Sequence, residues 1–118
     1  MGLDMYLYEK QTHEIAYWRK ANAIHGWILN RTEAVDDCTP INLYLKDLQD
    51  LRETCQQVLD AHTQDVAYDL LPPTSGFFFG TTDIDEWYWD IVQDTLTKLN
   101  AILEDADENT CYEYRASW

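Results

Sequence analysis

The amino-acid sequence predicts an α+β fold, with three main helices packed on a small sheet formed by the N- and C-terminal strands. Two observations support this prediction: apolar residues alternate with polar ones at both ends of the chain, and they recur with helical spacing between those ends. With 118 residues, of which 46% are hydrophobic, the chain can build one hydrophobic core but not two. Residues 1–118 are therefore predicted to form a single acidic domain.

Period-two alternation predicts a strand at each end of the chain, and we expect the two strands to lie side by side. The apolar side chains of the first strand alternate with charged or aromatic ones, and those of the last strand follow the same rule. The predicted inward residues are Leu3, Met5 and Leu7 in the first strand, and Tyr112, Tyr114, Ala116 and Trp118 in the last.

Helical spacing of apolar residues first appears in residues 14–30, although Gly26 disfavours a helix interior by about 1 kcal/mol relative to alanine. A second helix is predicted for residues 39–62. Thr39 would be its N-cap, and Pro40 would occupy the first helical position, where a missing N–H costs nothing.

The third predicted helix begins at Thr82 or Asp83 and continues to about residue 105. Asp83 and Glu86 have the spacing of a capping box, in which side chains satisfy the first free N–H groups. Residues 66–71 have no clear period, and the two prolines that follow them end any regular element. The aromatic run 77–79 is predicted to be a short strand or a wedge in the core.

Acidic residues greatly outnumber basic ones. The chain has 22 Asp and Glu against eight Lys and Arg, which gives a formal net charge of −14. Residues 1–32 carry a surplus of one base, whereas residues 33–118 carry nineteen acids and four bases. Since phosphate groups attract basic surfaces, this balance argues against direct binding of nucleic acid or of an anionic membrane.

The cysteine count and the chain ends predict a reduced, cytoplasmic protein. Three cysteines without a CxxC pair form neither a disulfide framework nor a zinc site. The N-terminal residues lack the basic and apolar regions of a signal peptide. No apolar run approaches the roughly 18 residues that a membrane helix requires.

The acidic residues of the last predicted helix are the best candidate for a binding site. At 3.6 residues per turn most of them fall within one arc opposite the apolar stripe, with Trp87 at its edge: Asp83, Glu86, Asp90, Asp94, Glu104 and Asp105. Asp85 lies outside the arc but suits the positive N-terminal end of the helix dipole. The arc is either a solvated helix face or a surface presented to a basic partner protein. The candidate partner-binding residues are Asp83, Asp85, Glu86, Trp87, Asp90, Asp94, Glu104 and Asp105.

Catalytic and metal-binding patterns are not found in the sequence. It contains no HExxH motif, no glycine-rich phosphate loop and no nucleophile elbow. The Asp83-Ile84-Asp85 segment lacks the glycine-bearing loop of a calcium site. His25 lies on the apolar side of the first predicted helix, which favours a hydrogen-bonded core or boundary residue over a catalytic base. We therefore expect neither enzymatic activity nor a cofactor or metal.

Adjacent aromatic residues leave an alternative open. Trp87, Tyr88 and Trp89 cannot all face one core. Some of these rings are expected either at a surface, a protein interface or a homodimer contact, or beneath a second layer such as the Pro72–Gly80 loop folded back over them. A small-ligand-binding protein or small enzyme could instead use them in a pocket. That pocket would be lined by Trp18, His25, Trp87 and Trp89.

Three stretches resemble a family of small proteins found in bacteriophages, prophages and other mobile elements. They are residues 1–7 (MGLDMYL), 17–27 (YWRKANAIHGW) and 71–80 (LPPTSGFFFG), the last followed by DEWYW at 85–89. The family has no established activity, so the resemblance supplies no functional residues. It implies either an inhibitor of host defence, such as an anti-CRISPR, anti-restriction or nucleic-acid-mimic protein, or a structural or accessory phage component.

Overall fold

A computed structural model describes residues 3–9, 13–34, 39–73, 83–104, 106 and 110–117. These residues form four helices and one four-stranded sheet, which confirms the predicted α+β class. The elements are β1 (Asp4–Glu9), β2 (His13–Arg19), α1 (Asn22–Thr32), β3 (Ile41–Tyr44), α2 (Leu45–Ala61), α3 (Gln64–Leu70), α4 (Glu86–Glu104) and β4 (Cys111–Ser117).

The sheet has the strand order β2-β1-β4-β3, and every neighbouring pair is antiparallel. The predicted pairing of the first and last strands is confirmed, because Met5 lies opposite Ala116 and Leu7 opposite Tyr114. The register between β1 and β2 shifts between Leu7 and Tyr8. Met5 and Trp18 are partners on the regular side of this irregularity, and the shift itself sets Glu14 opposite Tyr8.

The inner face of the sheet and the apolar faces of the helices form the core. Met5, Leu7 and Tyr114 of the sheet have 1% or less of their surface exposed. Burying each such side chain contributes about 1.5–3 kcal/mol relative to leaving it in water. The helices contribute Ile24 and Ile28 from α1, Leu48, Leu51, Cys55 and Val58 from α2, and Tyr88, Val92, Leu96 and Leu99 from α4.

Two buried hydrogen bonds fix the helices on the sheet. The indole Nε1 of Trp18 in β2 donates to the Thr95 hydroxyl of α4 over 2.9 Å. The His25 Nδ1 of α1 lies 2.6 Å from the Tyr114 hydroxyl of β4. Since an unpaired polar group in a core costs about 1–3 kcal/mol, both pairs also favour one orientation of each helix over others.

The predicted helix over residues 14–30 is wrong in its first half. Residues 13–19 form β2, and α1 begins only at Asn22. Ala16 and Trp18 are buried while Tyr17 between them is 40% exposed, which is the alternation of a strand. Lys20 then adopts a left-handed φ of 55° and donates its N–H to the Leu3 carbonyl, so the chain turns before the helix starts.

The predicted start of the second helix at Thr39 is also wrong. Residues 41–44 form the edge strand β3, whose pairing with β4 overrides the local helix signal at Thr39 and Pro40. Helix α2 begins at Leu45. The carboxylate of Asp47 accepts a hydrogen bond from the backbone N–H of Tyr44 over 2.9 Å and stabilises this first turn.

The structure corrects two further boundaries. The segment without a clear period is helix α3, for which the Thr63 hydroxyl accepts the N–H of Val66. Helix α4 begins at Glu86 rather than at residue 82 or 83, because the Asp85 carboxylate accepts the N–H of Tyr88 and caps the helix. The aromatic run 77–79, Asp105 and Trp118 lie outside the described residues.

Candidate functional site

The C-terminal end of α2 lies beside the N-terminal end of α4. The ring of His62, just after α2, stacks on Trp89 of α4 with 4.1 Å between ring centroids. The hydroxyl of Tyr88 donates to the carbonyl of Leu71, just after α3, over 2.8 Å. These contacts bring the end of α2, the whole of α3 and the start of α4 to one end of the molecule.

This end concentrates acidic side chains. Seven exposed carboxylates lie on its three segments, and we call them the acidic end: Asp60, Asp65, Asp69, Asp83, Asp85, Glu86 and Asp90. The sequence from residue 53 to residue 97 contains no Lys or Arg. Within the described residues, no ion pair involves Asp60, Asp65, Asp69, Glu86 or Asp90.

Most basic side chains of the described residues are already paired elsewhere. Arg31 of α1 binds both Asp47 and Asp50 of α2, and Lys46 also binds Asp50. Hydrogen bonds from Lys46 and Arg31 lower the pKa of Asp50. The remaining ion pairs join Arg19 to Asp4, Lys98 to Asp94 and Arg115 to Glu113. The bases therefore neutralise acids outside the acidic end.

The predicted acidic row along the last helix is present only in part. Glu86, Asp90 and Asp94 follow one another at four-residue spacing on α4, but Lys98 neutralises Asp94. Glu104 lies about 15 Å farther along the helix axis. Asp83 and Asp85 precede the helix, so a helical wheel does not give the directions of their side chains. The row thus divides into an unneutralised N-terminal part and a distant C-terminal residue.

Two exposed aromatic rings accompany the acidic end. Trp87 of α4 is 40% exposed and Tyr68 of α3 is 52% exposed. Beside Trp87 is a small depression lined also by Asp83, Pro73 and the start of α1. Its volume of about 10 Å³ is room for about one water molecule. As far as the described residues show, the depression is too small to enclose a small ligand, whereas the exposed rings can contact a protein.

The structure does not gather the four residues of the alternative aromatic pocket. Trp18 is 3% exposed and His25 is 1% exposed, and both are hydrogen-bonded in the core. The interpretation of His25 as a core residue is confirmed. Trp89 is half-buried against His62, whereas Trp87 is exposed beside α1. Among the described residues, these four side chains therefore line no common cavity.

A larger open cleft lies between α1 and α2, lined by Trp27, Arg31, Asp50, Glu53, Thr54 and Gln57. Its volume is about 250 Å³, below the roughly 300–1,000 Å³ typical of ligand pockets. The guanidinium of Arg31 is committed to two carboxylates. It also lies 5.7 Å from the Trp27 ring, so the described lining of the cleft holds no free cation for an anionic ligand.

Sequence reasoning missed Asp60, Asp65 and Asp69. Asp65 and Asp69 lie on α3, which local periodicity did not reveal, and they join the site through the hydrogen bond from Tyr88 of α4 to Leu71. Asp60 joins it through the contact between α2 and α4. The absence of Lys and Arg from residues 53–97 is visible in the sequence and could have predicted that the acids of this whole segment stay unneutralised.

The part of the chain that the structure describes holds no cluster of three His, Cys, Asp or Glu placed to bind a metal. None of its helices is long and apolar enough to span a membrane. Comparisons with protein-family models, curated proteins and solved structures found no match for this chain.

Proposed function

We propose that this chain is a non-enzymatic interaction protein whose acidic end binds a cationic surface on a partner protein. The partner is proposed to be a nucleic-acid-handling protein, because its basic groove is built to attract rows of negative charge. The acidic end would occupy that groove and exclude the nucleic acid. Following the phage resemblance, the partner would be a host defence protein such as a CRISPR effector or a restriction enzyme, met in the bacterial cytoplasm.

The observation that carries the proposal is the excess of acids over bases at the acidic end. Like charges on one surface repel one another, so seven carboxylates on segments that lack Lys and Arg do not favour the fold. Asp85 has a structural role as the cap of α4, and acids near a helix N-terminus interact favourably with its dipole. Those two effects do not account for Asp60 at the end of α2 or Asp69 on α3.

The exposed aromatic rings support the same conclusion. Tryptophan and tyrosine are over-represented among residues that dominate the binding energy of protein interfaces. Trp87 and Tyr68 both lie among the acidic residues, where a lysine or arginine of a partner could contact the face of either ring. The carboxylates would then set the rate and salt dependence of association, and the rings its lifetime.

The proposal can be tested by capturing a partner from bacterial lysate on the immobilised protein over a series of salt concentrations. The paired variant Glu86→Gln with Asp90→Asn removes two charges from the acidic end while keeping side-chain shape. We expect this variant to lose most of the captured partner at moderate salt. Added duplex or single-stranded nucleic acid should release the partner from the wild-type protein, since both compete for one groove.

The matched control is Glu33→Gln with Glu104→Gln, which removes the same number of charges at the ends of α1 and α4 away from the acidic end. This control should bind as the wild type does. Capture that persists at high salt, that nucleic acid does not displace, or that both paired variants weaken equally would contradict the proposal.

A further inference from the structure

The face of the sheet opposite the helices is accessible and rich in aromatic residues. Alternation along the strands turns Tyr6, Tyr8 and Tyr17 away from the core, and Tyr17 is 40% exposed. The Tyr6 ring lies 5.1 Å from that of Tyr17 and 6.2 Å from that of Tyr8. The guanidinium of Arg115 lies 4.6 Å from the Tyr8 ring. Tyrosine and arginine are the residues that protein interfaces favour.

This outer face is much closer to neutral than the layer formed by α2, α3 and α4. Residues 45–104, which include α2, α3 and α4, carry twelve acids and three bases. Among the described residues, the outer face carries three acids, Asp4, Glu14 and Glu113, and two bases, Arg19 and Arg115. The outer face therefore repels another acidic protein less than the layer of α2, α3 and α4 does.

The charges of the outer face are also self-complementary. Glu14 and Arg19 lie near opposite ends of β2, both exposed, and about 16 Å apart along the strand. A two-fold axis in the plane of the interface, perpendicular to the strands, reverses strand direction between the copies. It would place Arg19 of one copy over Glu14 of the other and bring the two Tyr17 rings together at the centre.

We propose that two copies of this chain associate through their outer sheet faces in this reversed orientation. The two sheets would lie about 10 Å apart, which puts the two helical layers roughly 30 Å from each other. That separation exceeds the Debye length of about 8 Å at physiological salt, so repulsion between the acidic layers is screened. Both acidic ends remain free, so dimerisation does not depend on partner binding.

The size of the face predicts a weak, reversible dimer. Four strands and about six residues of each give a flat area of roughly 19 by 20 Å. Each copy would therefore bury roughly 400 Å², or roughly 800 Å² for the pair, which is below the total of about 1,200 Å² that specific interfaces usually bury. Dissociation constants in the micromolar range or weaker are therefore expected. Salt should strengthen the dimer at first by screening the net charge of each copy, and weaken it later by screening Arg19 and Glu14.

Sedimentation equilibrium of the purified protein, from low micromolar to near-millimolar concentration, tests the proposal through a charge swap. Arg19→Glu alone and Glu14→Arg alone each place like charges opposite one another, and each should weaken the dimer by about tenfold. The double variant exchanges the two charges and should restore wild-type association. Tyr17→Glu should leave a monomer, whereas Tyr68→Glu, on exposed α3, should dimerise normally.

A wild-type protein that stays monomeric throughout this concentration range would overturn the proposal. A double variant that associates more weakly than both single variants would overturn it as well, since the copies would then not meet in the reversed orientation. A fluorescent single-stranded oligonucleotide serves as a second probe. The net charge predicts that it does not bind, and binding abolished by Tyr17→Glu would assign the face to nucleic acid instead.

Discussion

Lys98 of α4 donates a hydrogen bond to the carbonyl oxygen of Tyr17 in the edge strand β2, over 2.6 Å. The same ammonium group pairs with Asp94 one turn earlier on α4 and lies 5.1 Å from the Trp18 ring. One lysine therefore joins the last helix to the edge of the sheet and neutralises one acid of the helix. It also marks the boundary between the acidic end and the rest of α4.

Replacement of Lys98 by methionine should lower the free energy of unfolding by about 1–2 kcal/mol, because a charge-assisted hydrogen bond to the sheet is lost. The methionine retains the apolar stem over Trp18. Urea denaturation measures the change, and Lys46→Met is the matched control. Lys46 pairs with Asp50 on an exposed helix surface, so its loss should cost no more than about 0.5 kcal/mol.

The same variant gives a functional result under the proposed function. Without Lys98, Asp94 would join Glu86 and Asp90 in an unneutralised row of three. Capture of the partner should then persist to higher salt than in the wild type. Equal stability losses in the Lys98 and Lys46 variants would contradict the assigned anchoring role of Lys98.

The terminal strands and the stripe of α2 were predictable from sequence because each obeys a single period. The β2 segment was not, since Trp18, Ala21 and Ile24 are buried in sequence positions that also fit one face of a helix. What decided the structure was the antiparallel pairing of β2 with β1, a contact between distant residues that local spacing does not encode.

The candidate site was predictable to a similar extent. Glu86, Asp90 and Trp87 were identified because they lie on a strongly periodic helix. The neutralisation of Asp94 could also have been predicted, since Lys98 follows it at the i,i+4 spacing of helical ion pairs. The contribution of Asp60 could not, because it reaches the site only through the packing of α2 on α4.

The hydrogen bond between His25 and Tyr114 should contribute measurably to stability because it lies in the core. Tyr114→Phe removes the hydroxyl that lies 2.6 Å from His25 Nδ1 and leaves the ring volume unchanged. We expect the free energy of unfolding to fall by about 1–3 kcal/mol, the cost of an unsatisfied buried polar group. Tyr68→Phe on the exposed surface of α3 is the control and should change stability by less than about 0.5 kcal/mol. A similar small change in Tyr114→Phe would show that another group replaces the lost partner.

The thiol of Cys55 should be inert in the folded protein. Burial raises its pKa to about 12, whereas a free thiol titrates near about 8.5. In a Cys38→Ser, Cys111→Ser background, a thiol reagent should therefore modify Cys55 only as fast as the protein opens. Modification at the rate of an exposed thiol, measured by mass spectrometry, would contradict the buried position of Cys55.

The same shift predicts how stability depends on pH. The unfolded chain loses the Cys55 proton at a lower pH than the folded chain does, so this stabilising contribution is complete below about pH 8.5 and declines as the pH rises toward 12. The loss from one thiol is about 1.4 kcal/mol per pH unit within this window. Tyr88, whose pKa burial also raises, adds to the alkaline loss. Cys55→Ala in the same background should remove the contribution of the thiol. The free energy of unfolding, measured by urea denaturation at a series of pH values, should then fall less steeply with pH than in the parent protein.

In the part of the chain that the structure describes, three residues other than glycine adopt left-handed backbone angles. Two of them follow helices: Glu33 after α1 with a φ of 56°, and His62 after α2 with a φ of 50°. A glycine at such a position avoids a cost of about 1–2 kcal/mol, part of which is offset by its greater freedom in the unfolded chain. Glu33→Gly should therefore raise the free energy of unfolding by about 0.5–1 kcal/mol, while Glu33→Ala should not.

His62→Gly should raise the free energy of unfolding by less than Glu33→Gly does. It also loses the stacking of the imidazole on Trp89, which is worth about 0.5–1.5 kcal/mol. Thermal unfolding gives the melting temperature of each of the three variants. If His62→Gly melts at or above the temperature of Glu33→Gly, the stacked ring does not stabilise the contact between α2 and α4.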